Sequence, residues 1–328
     1  MSQITEDRSS LQSYGRTFST EDTNYSLPND SAEHERLKLQ HDAFKLLLGG
    51  NFLVPVHQEG SFRPILLTLV ACLIDSPYTT KSQPNCETFW TFATAAMARE
   101  FPGAVVVGVD IAEPQSLRDV PPNVKFLKHN INSPLPFPDH YFDFVQMRIV
   151  PSLPDRKAIM QEISRILRPG GFVAFLEPAE SFSGKTNTRT PALVEVDRLM
   201  VQSPHTPRAR VGETNTTKPK SWSIAWDIAP MLRDATDSEG NLLFRTIQVK
   251  EVRVPVGTWP KDAVQKQIGE IIARVQMGLI DAFKPTFLTL KLLTGSEFDS
   301  LREAAQAEVE DGDLEIQSPI VYAWGRKS

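Results

Sequence analysis

The chain has 328 residues, 41% hydrophobic and 23% charged, a composition that excludes collagen, coiled-coil and wholly disordered classes and leaves room for a sizeable core. Its net charge of −5 draws neither phosphate backbones nor anionic lipid, so no nucleic acid and no membrane is expected among its partners. The longest apolar run, Ile65 to Ile74 with one threonine in it, falls well short of the roughly 18 residues a spanning helix needs.

Residues 1–24 are polar and acidic, without the apolar core of a signal peptide. They are expected to be a disordered tail, and a cytoplasmic location follows as the default, with the nucleus open. A helical extension is expected over 25–60. Asp30 and Glu33 are spaced as a capping box, Leu37, Phe44 and Leu48 recur at helical spacing, and Gly49-Gly50 stops the helix at 48. From 61 to 328, strand-like runs alternate with helical patterns, the signature of βαβ units and a parallel sheet. Strands are expected at 65–74, 105–109, 124–127, 142–145 and 172–176, and helices at 88–101 and 155–167. Arg168-Pro-Gly-Gly171 closes the second of these helices. An irregular insert over 181–222, with one amphipathic stretch at 192–201, has the length of a lid. An outer strand (242–254), two helices (261–283 and 296–310) and a closing strand (320–324) complete the pattern. Two cysteines, Cys72 and Cys86, make neither a disulfide framework nor a zinc site, and the six histidines show no ligand spacing, so no metal is expected.

Asp110 ends the apolar run Val105-Val-Val-Gly-Val109. An acid at the carboxyl end of a buried parallel strand sits where open α/β sheets bind ligands, and such a carboxylate can accept hydrogen bonds from both hydroxyls of a ribose. On this segment alone, an Asp that merely begins a loop stands level with that reading.

A wider set of segments resembles the fungal LaeA-like methyltransferases. Tyr25-Ser-Leu-Pro-Asn-Asp30 with Glu33, Arg36-Leu37 and Gln40-His41 is similar to their opening signature. Met97-Ala-Arg-Glu-Phe-Pro102, Val107-Gly-Val-Asp110, Pro121-Pro-Asn-Val-Lys-Phe126, Phe142-Asp-Phe-Val-Gln-Met-Arg148, Ile163 to Gly171 and Val256-Gly-Thr-Trp-Pro-Lys261 follow in the same order. The resemblance implies a class I methyltransferase fold, Rossmann-like, with a seven-stranded, mostly parallel sheet and one antiparallel strand. It also implies S-adenosyl-L-methionine as cofactor, with a small-molecule methyl acceptor of fungal secondary metabolism. On this template Asp110 matches the ribose-binding acid. Asn130 falls near the acceptor for the adenine amine, or is a turn-forming residue. Ile111 packs on the adenine face, or in the core. Candidates for contact with the acceptor, or for a general base where the acceptor must lose a proton, are Gln146, Arg148 and Glu177 at strand ends. Against these roles stand a backbone hydrogen bond for Gln146, a surface ion pair for Arg148 and a helix cap for Glu177. His41 belongs to the family-like pattern as a structural histidine or a contact to the cofactor pocket.

One element of that template is missing. A glycine-rich turn normally joins the first strand to the first helix, letting the backbone approach the cofactor's amino-acid part. No glycine occurs between Gly60 and Gly103 among the chain's 17. The protein is then either a degenerate methyltransferase acting as a regulatory subunit through protein partners, or the product of a mis-joined transcript over about 61–89.

Overall fold

A computed structural model of the chain describes residues 10–19, 28, 30–54, 65–69, 89–110, 120–131, 133–149, 155–179, 190–202 and 224–328. Within the stretch read as a disordered tail, β1 (Ser10–Ser13) and β2 (Arg16–Ser19) form an antiparallel hairpin. Tyr14 and Gly15, both at positive φ (50° and 76°), make the tight turn that right-twisted strands favour. Arg16 then anchors the hairpin on Asp30 through two hydrogen bonds, Nε to Oδ2 at 2.6 Å and Nη2 to Oδ1 at 2.9 Å. The tail reading is thus corrected for 10–19: composition under-weighted a local turn and one ion pair.

Helix α1 (Ser31–Leu48) has the bounds its caps dictate. The Asp30 side chain accepts from the Glu33 backbone N–H, and Gly49 ends the helix in the left-handed conformation. Its buried stripe is more polar than the leucine spacing suggests: Glu33, His34, Arg36, Gln40 and His41 join Ala43 and Phe44. Arg36 and Glu33 satisfy each other through two hydrogen bonds of 2.9 and 2.6 Å, which permits their burial. The Arg36 stem covers Gly278, where an added Cβ would lie 3.2 Å from it.

The main sheet gathers β3 (Ile65–Leu69), β4 (Val105–Asp110), β5 (Val124–Lys128), β6 (Phe142–Arg148), β7 (Leu167–Pro178), β8 (Phe244–Pro255) and β9 (Gln317–Lys327). Its order is β5-β4-β3-β6-β7-β9-β8, and β9 is reversed relative to the other six strands. This is the seven-stranded, mostly parallel sheet that the class I methyltransferase resemblance implies. Helices α2 (Phe89–Glu100), α3 (Arg156–Ile166), α4 (Pro191–Gln202), α5 (Ile228–Asp234), α6 (Ala263–Thr289) and α7 (Gly295–Glu310) complete it. Alternate strand residues feed two cores. Leu66, Val106, Phe144 and Leu176 pack under α1, α6 and α7, while Leu67, Val107, Val109, Met147 and Phe175 pack with Ile159 and Ile163 of α3.

Strands β6 and β9 run about three residues beyond their expected ends, β9 at both, and three further elements differ from expectation. Strand β7 begins at Leu167 because Gly170 (φ 79°) and Gly171 turn the chain directly from α3 into the sheet. Helix α6 runs past Pro285 to Thr289, its last turn held by buried Phe287, which stacks on Phe283 at 5.6 Å. Helix α5 has only seven residues, too few for helical periodicity to show. No described helix is long and apolar enough to cross a membrane.

Candidate functional site

The strand order reverses direction at β3, with β4 on one side and β6 on the other. The carboxyl ends of these strands are where such sheets hold ligands. Asp110 is the last residue of β4 and is 1% exposed. Its carbonyl accepts from the His129 N–H at 2.7 Å, and Asn130 follows on the neighbouring strand end, half-buried, its own carbonyl receiving the Ser133 N–H at 3.0 Å. The structure therefore brings Asp110 and Asn130 to adjacent strand ends. Ile111 lies outside the described residues, as does the stretch 70–88, in which a glycine-rich turn would fall.

On the other side of β3, Gln146 aligns with Thr68 of β3 and Ala174 of β7. Its amide donates to the Asn51 carbonyl at 3.1 Å, so it ties the sheet to the linker after α1. Asn51 in turn bonds Glu100 at the end of α2. Phe52 lies 5.5 Å from both the Phe101 and Phe144 rings, and Leu53 donates its N–H to the Tyr322 hydroxyl at 3.0 Å.

Arg148 ends β6 and is fully buried rather than at the surface. Its Nη1 donates toward the His41 Nδ1 at 3.4 Å, and its guanidinium carbon stands 5.7 Å from the centre of the Phe44 ring. Burial lowers the Arg148 pKa to about 10, still well above neutrality, against the opposing influence of Tyr322 and Glu177. Burial also pulls His41 down to about 3, with Arg148, Lys45 and Lys38 acting in the same direction. His41 is consequently a neutral imidazole at any physiological pH and can accept a hydrogen bond from the guanidinium. The Tyr322 phenol is pushed upward by burial and stays protonated.

Glu177 is also buried, opposite Val321 of β9. By alternation along β7 it shares the face of Val173 and Phe175, whereas Gln146 and Arg148 share the face of Phe144 beneath α1. The three strand-end candidates are thus divided between two faces of the sheet. Sequence reasoning missed Tyr322 and the depth of the α1 contribution. The spacing of Glu33, Arg36, Gln40 and Phe44, three and four residues apart, was a signal for the latter.

Residues 91–175, from within α2 into β7, match the methyltransferase domain family. Methyltransferase str2 of Strobilurus tenacellus is 25% identical over 313 residues, covering 94% of this chain and 98% of that protein. The secondary metabolism regulator laeA of Coprinopsis cinerea is 30% identical over 169 residues, which is 51% of this chain and 39% of the regulator. Geranyl diphosphate C-methyltransferase of Streptomyces coelicolor, solved with S-adenosyl-L-homocysteine, superposes with a TM-score of 0.40 at 12% identity, over 92% of this chain and 86% of that one. The chain is thus similar along nearly its whole length to a fungal methyltransferase and over about half of it to a LaeA regulator, and its methyltransferase-domain match lies within a sheet of this strand order.

Proposed function

We propose that the protein binds S-adenosyl-L-methionine across the carboxyl ends of β4, β3 and β6 and methylates a small molecule of fungal secondary metabolism, with the cytoplasm as its compartment. The observation that carries this reading is Asp110, buried at the end of β4 beside the reversal in strand order. Ionised, its carboxylate offers only acceptors, which suits two vicinal ribose hydroxyls. Asn130 on the next strand end suits the adenine amine, with Ile111 beside the ring. The cofactor brings its own chemistry, a methyl group on a cationic sulfur. The protein's share is to bind, to orient and to exclude water, and α1 supports this by closing over the strand ends with His41 and Phe44.

Titration calorimetry with S-adenosyl-L-methionine tests the reading directly. Wild type binds, and Asp110→Asn weakens binding roughly ten- to hundredfold, the value of one charge-assisted hydrogen bond or more. Wild type that takes up no heat-detectable cofactor ends this reading.

The glycine-free interval and the similarity to a regulator favour a second one, in which the fold acts through a protein partner with little turnover. An Asp110→Ala strain that keeps the full biological effect would select it.

A further inference from the structure

Among the described residues, the cofactor reading so far names a receptor for one end of the ligand only. Asp110 accounts for the ribose, but the amino-acid part of an S-adenosyl group carries a carboxylate. Backbone N–H groups of a glycine-rich turn ordinarily suit that carboxylate, and this chain has no glycine from 61 to 102.

Strand register supplies a candidate. Leu69, the last paired residue of β3, aligns with Val109 on one side and with Met147 on the other. Asp110 and Arg148 are each the next residue, so they stand level, flanking the end of β3. Two strand spacings separate them, roughly 10 Å, comparable with a ribose joined through sulfur to a four-carbon amino acid. They also share a face: Asp110 alternates in step with Val106, and Arg148 with Phe144, both in the core beneath α1. The backbone after Arg148 is strained, since Ile149 holds φ 53° while its N–H is pinned to the Leu176 carbonyl at 3.0 Å. A β-branched residue in that region is a costly conformation of the kind that collects at ligand sites.

We propose that Arg148 receives the carboxylate of the amino-acid part of an S-adenosyl cofactor, and that His41, with Phe44, is the positioning residue that orients its guanidinium. This rests on the cofactor reading above. A guanidinium presents a planar fork of donors that matches a carboxylate, so a side chain can do what a glycine-rich turn does through backbone. His41 accepts one N–H and the Phe44 ring covers one side of the guanidinium, which fixes the plane and direction of the fork.

The test is titration calorimetry of the full chain with S-adenosylmethionine and with its decarboxylated analogue, which differs only in lacking the carboxylate. Wild type binds the intact cofactor roughly ten- to hundredfold more tightly, and Arg148→Gln removes most of that ratio. His41→Asn, whose amide oxygen still accepts, retains the ratio, whereas His41→Phe reduces it; this pair needs no change at Arg148. Equal wild-type affinity for the two compounds overturns this proposal while leaving the cofactor reading intact. An Arg148→Gln variant that preserves the ratio overturns it too. Wild type that binds neither compound overturns both.

Discussion

Asp30 accepts from three residues at once: the Arg16 guanidinium, the Thr17 N–H at 3.3 Å and the Glu33 N–H at 3.0 Å. Burial opposes its ionisation, yet Arg16 and the backbone donors hold its pKa below the ordinary value. Asp30→Ala removes a helix cap and the partner of Arg16 together. It should cost about 1–3 kcal/mol in urea denaturation, and Asp30→Asn, which keeps the cap, should lose less. His41 and His34 are shifted in the same direction for a different reason. Burial is the leading cause for both, lowering them to about 3 and about 4 against 6.5. The unfolded chain therefore binds more protons below pH 6.5, and stability is lost as pH falls from there toward the folded values. The slope approaches about 1.4 kcal/mol per pH unit for each histidine. Thermal melts between pH 7.5 and 5 should show the fall, and His41→Asn should flatten it.

At this scale the sequence was legible where the signal is local. Asp110 stands out because five apolar-strand residues lead into one acid. The His41–Arg148 contact joins positions 107 residues apart, and neither neighbourhood advertises the other. Arg148 looked like a surface cation because nothing adjacent in sequence shows that α1 covers it.

Among the elements, the segment Val256-Gly-Thr-Trp-Pro-Lys261 resolves into a junction. Gly257, at φ 102°, donates its N–H to the Gly269 carbonyl at 3.0 Å, and a Cβ added at Gly269 would meet the Gly257 oxygen at 2.2 Å. Trp259 ties the same turn to the residue before β9 by donating Nε1–H to the Ile316 carbonyl at 3.0 Å. Two backbones touch here, so no side chain can yield. Gly269→Ala should lower stability by about 1–3 kcal/mol or more, measured as a shifted urea midpoint with unchanged slope; a shift under about 0.5 kcal/mol would show that the junction relaxes freely. Long periodic elements such as α1, α3 and α7 were legible within a residue or two, since burial on one face dictates their pattern. Strand β7 was read short because its first residues are also the stop signal of α3. The short α5 is defined by Ile228 and Leu232 packing against the sheet, which no local pattern reveals.

For the molecule as a whole, ligand binding and stability are one measurement. Cofactor at a hundredfold its Kd stabilises a binding-competent fold by about 2.7 kcal/mol, and for a chain of this size that raises the Tm by several degrees. S-adenosylmethionine should produce this shift in wild type and little of it in Asp110→Asn. A shift equal in both would mean binding elsewhere than the end of β4.

The place of β9 in the sheet also orders events on the ribosome. Strand β8 is synthesised before α6 and α7, yet its one neighbour in the sheet is β9, which follows them. The strands from β3 to β7 can assemble as they emerge, whereas β8 must wait with both edges open while two helices are translated. Strand β9 then inserts between β7 and β8 and closes both at once. A nascent chain paused before Gln317 thus leaves one edge of β7 and both edges of β8 unpaired, and that interval is where the polypeptide most needs a chaperone.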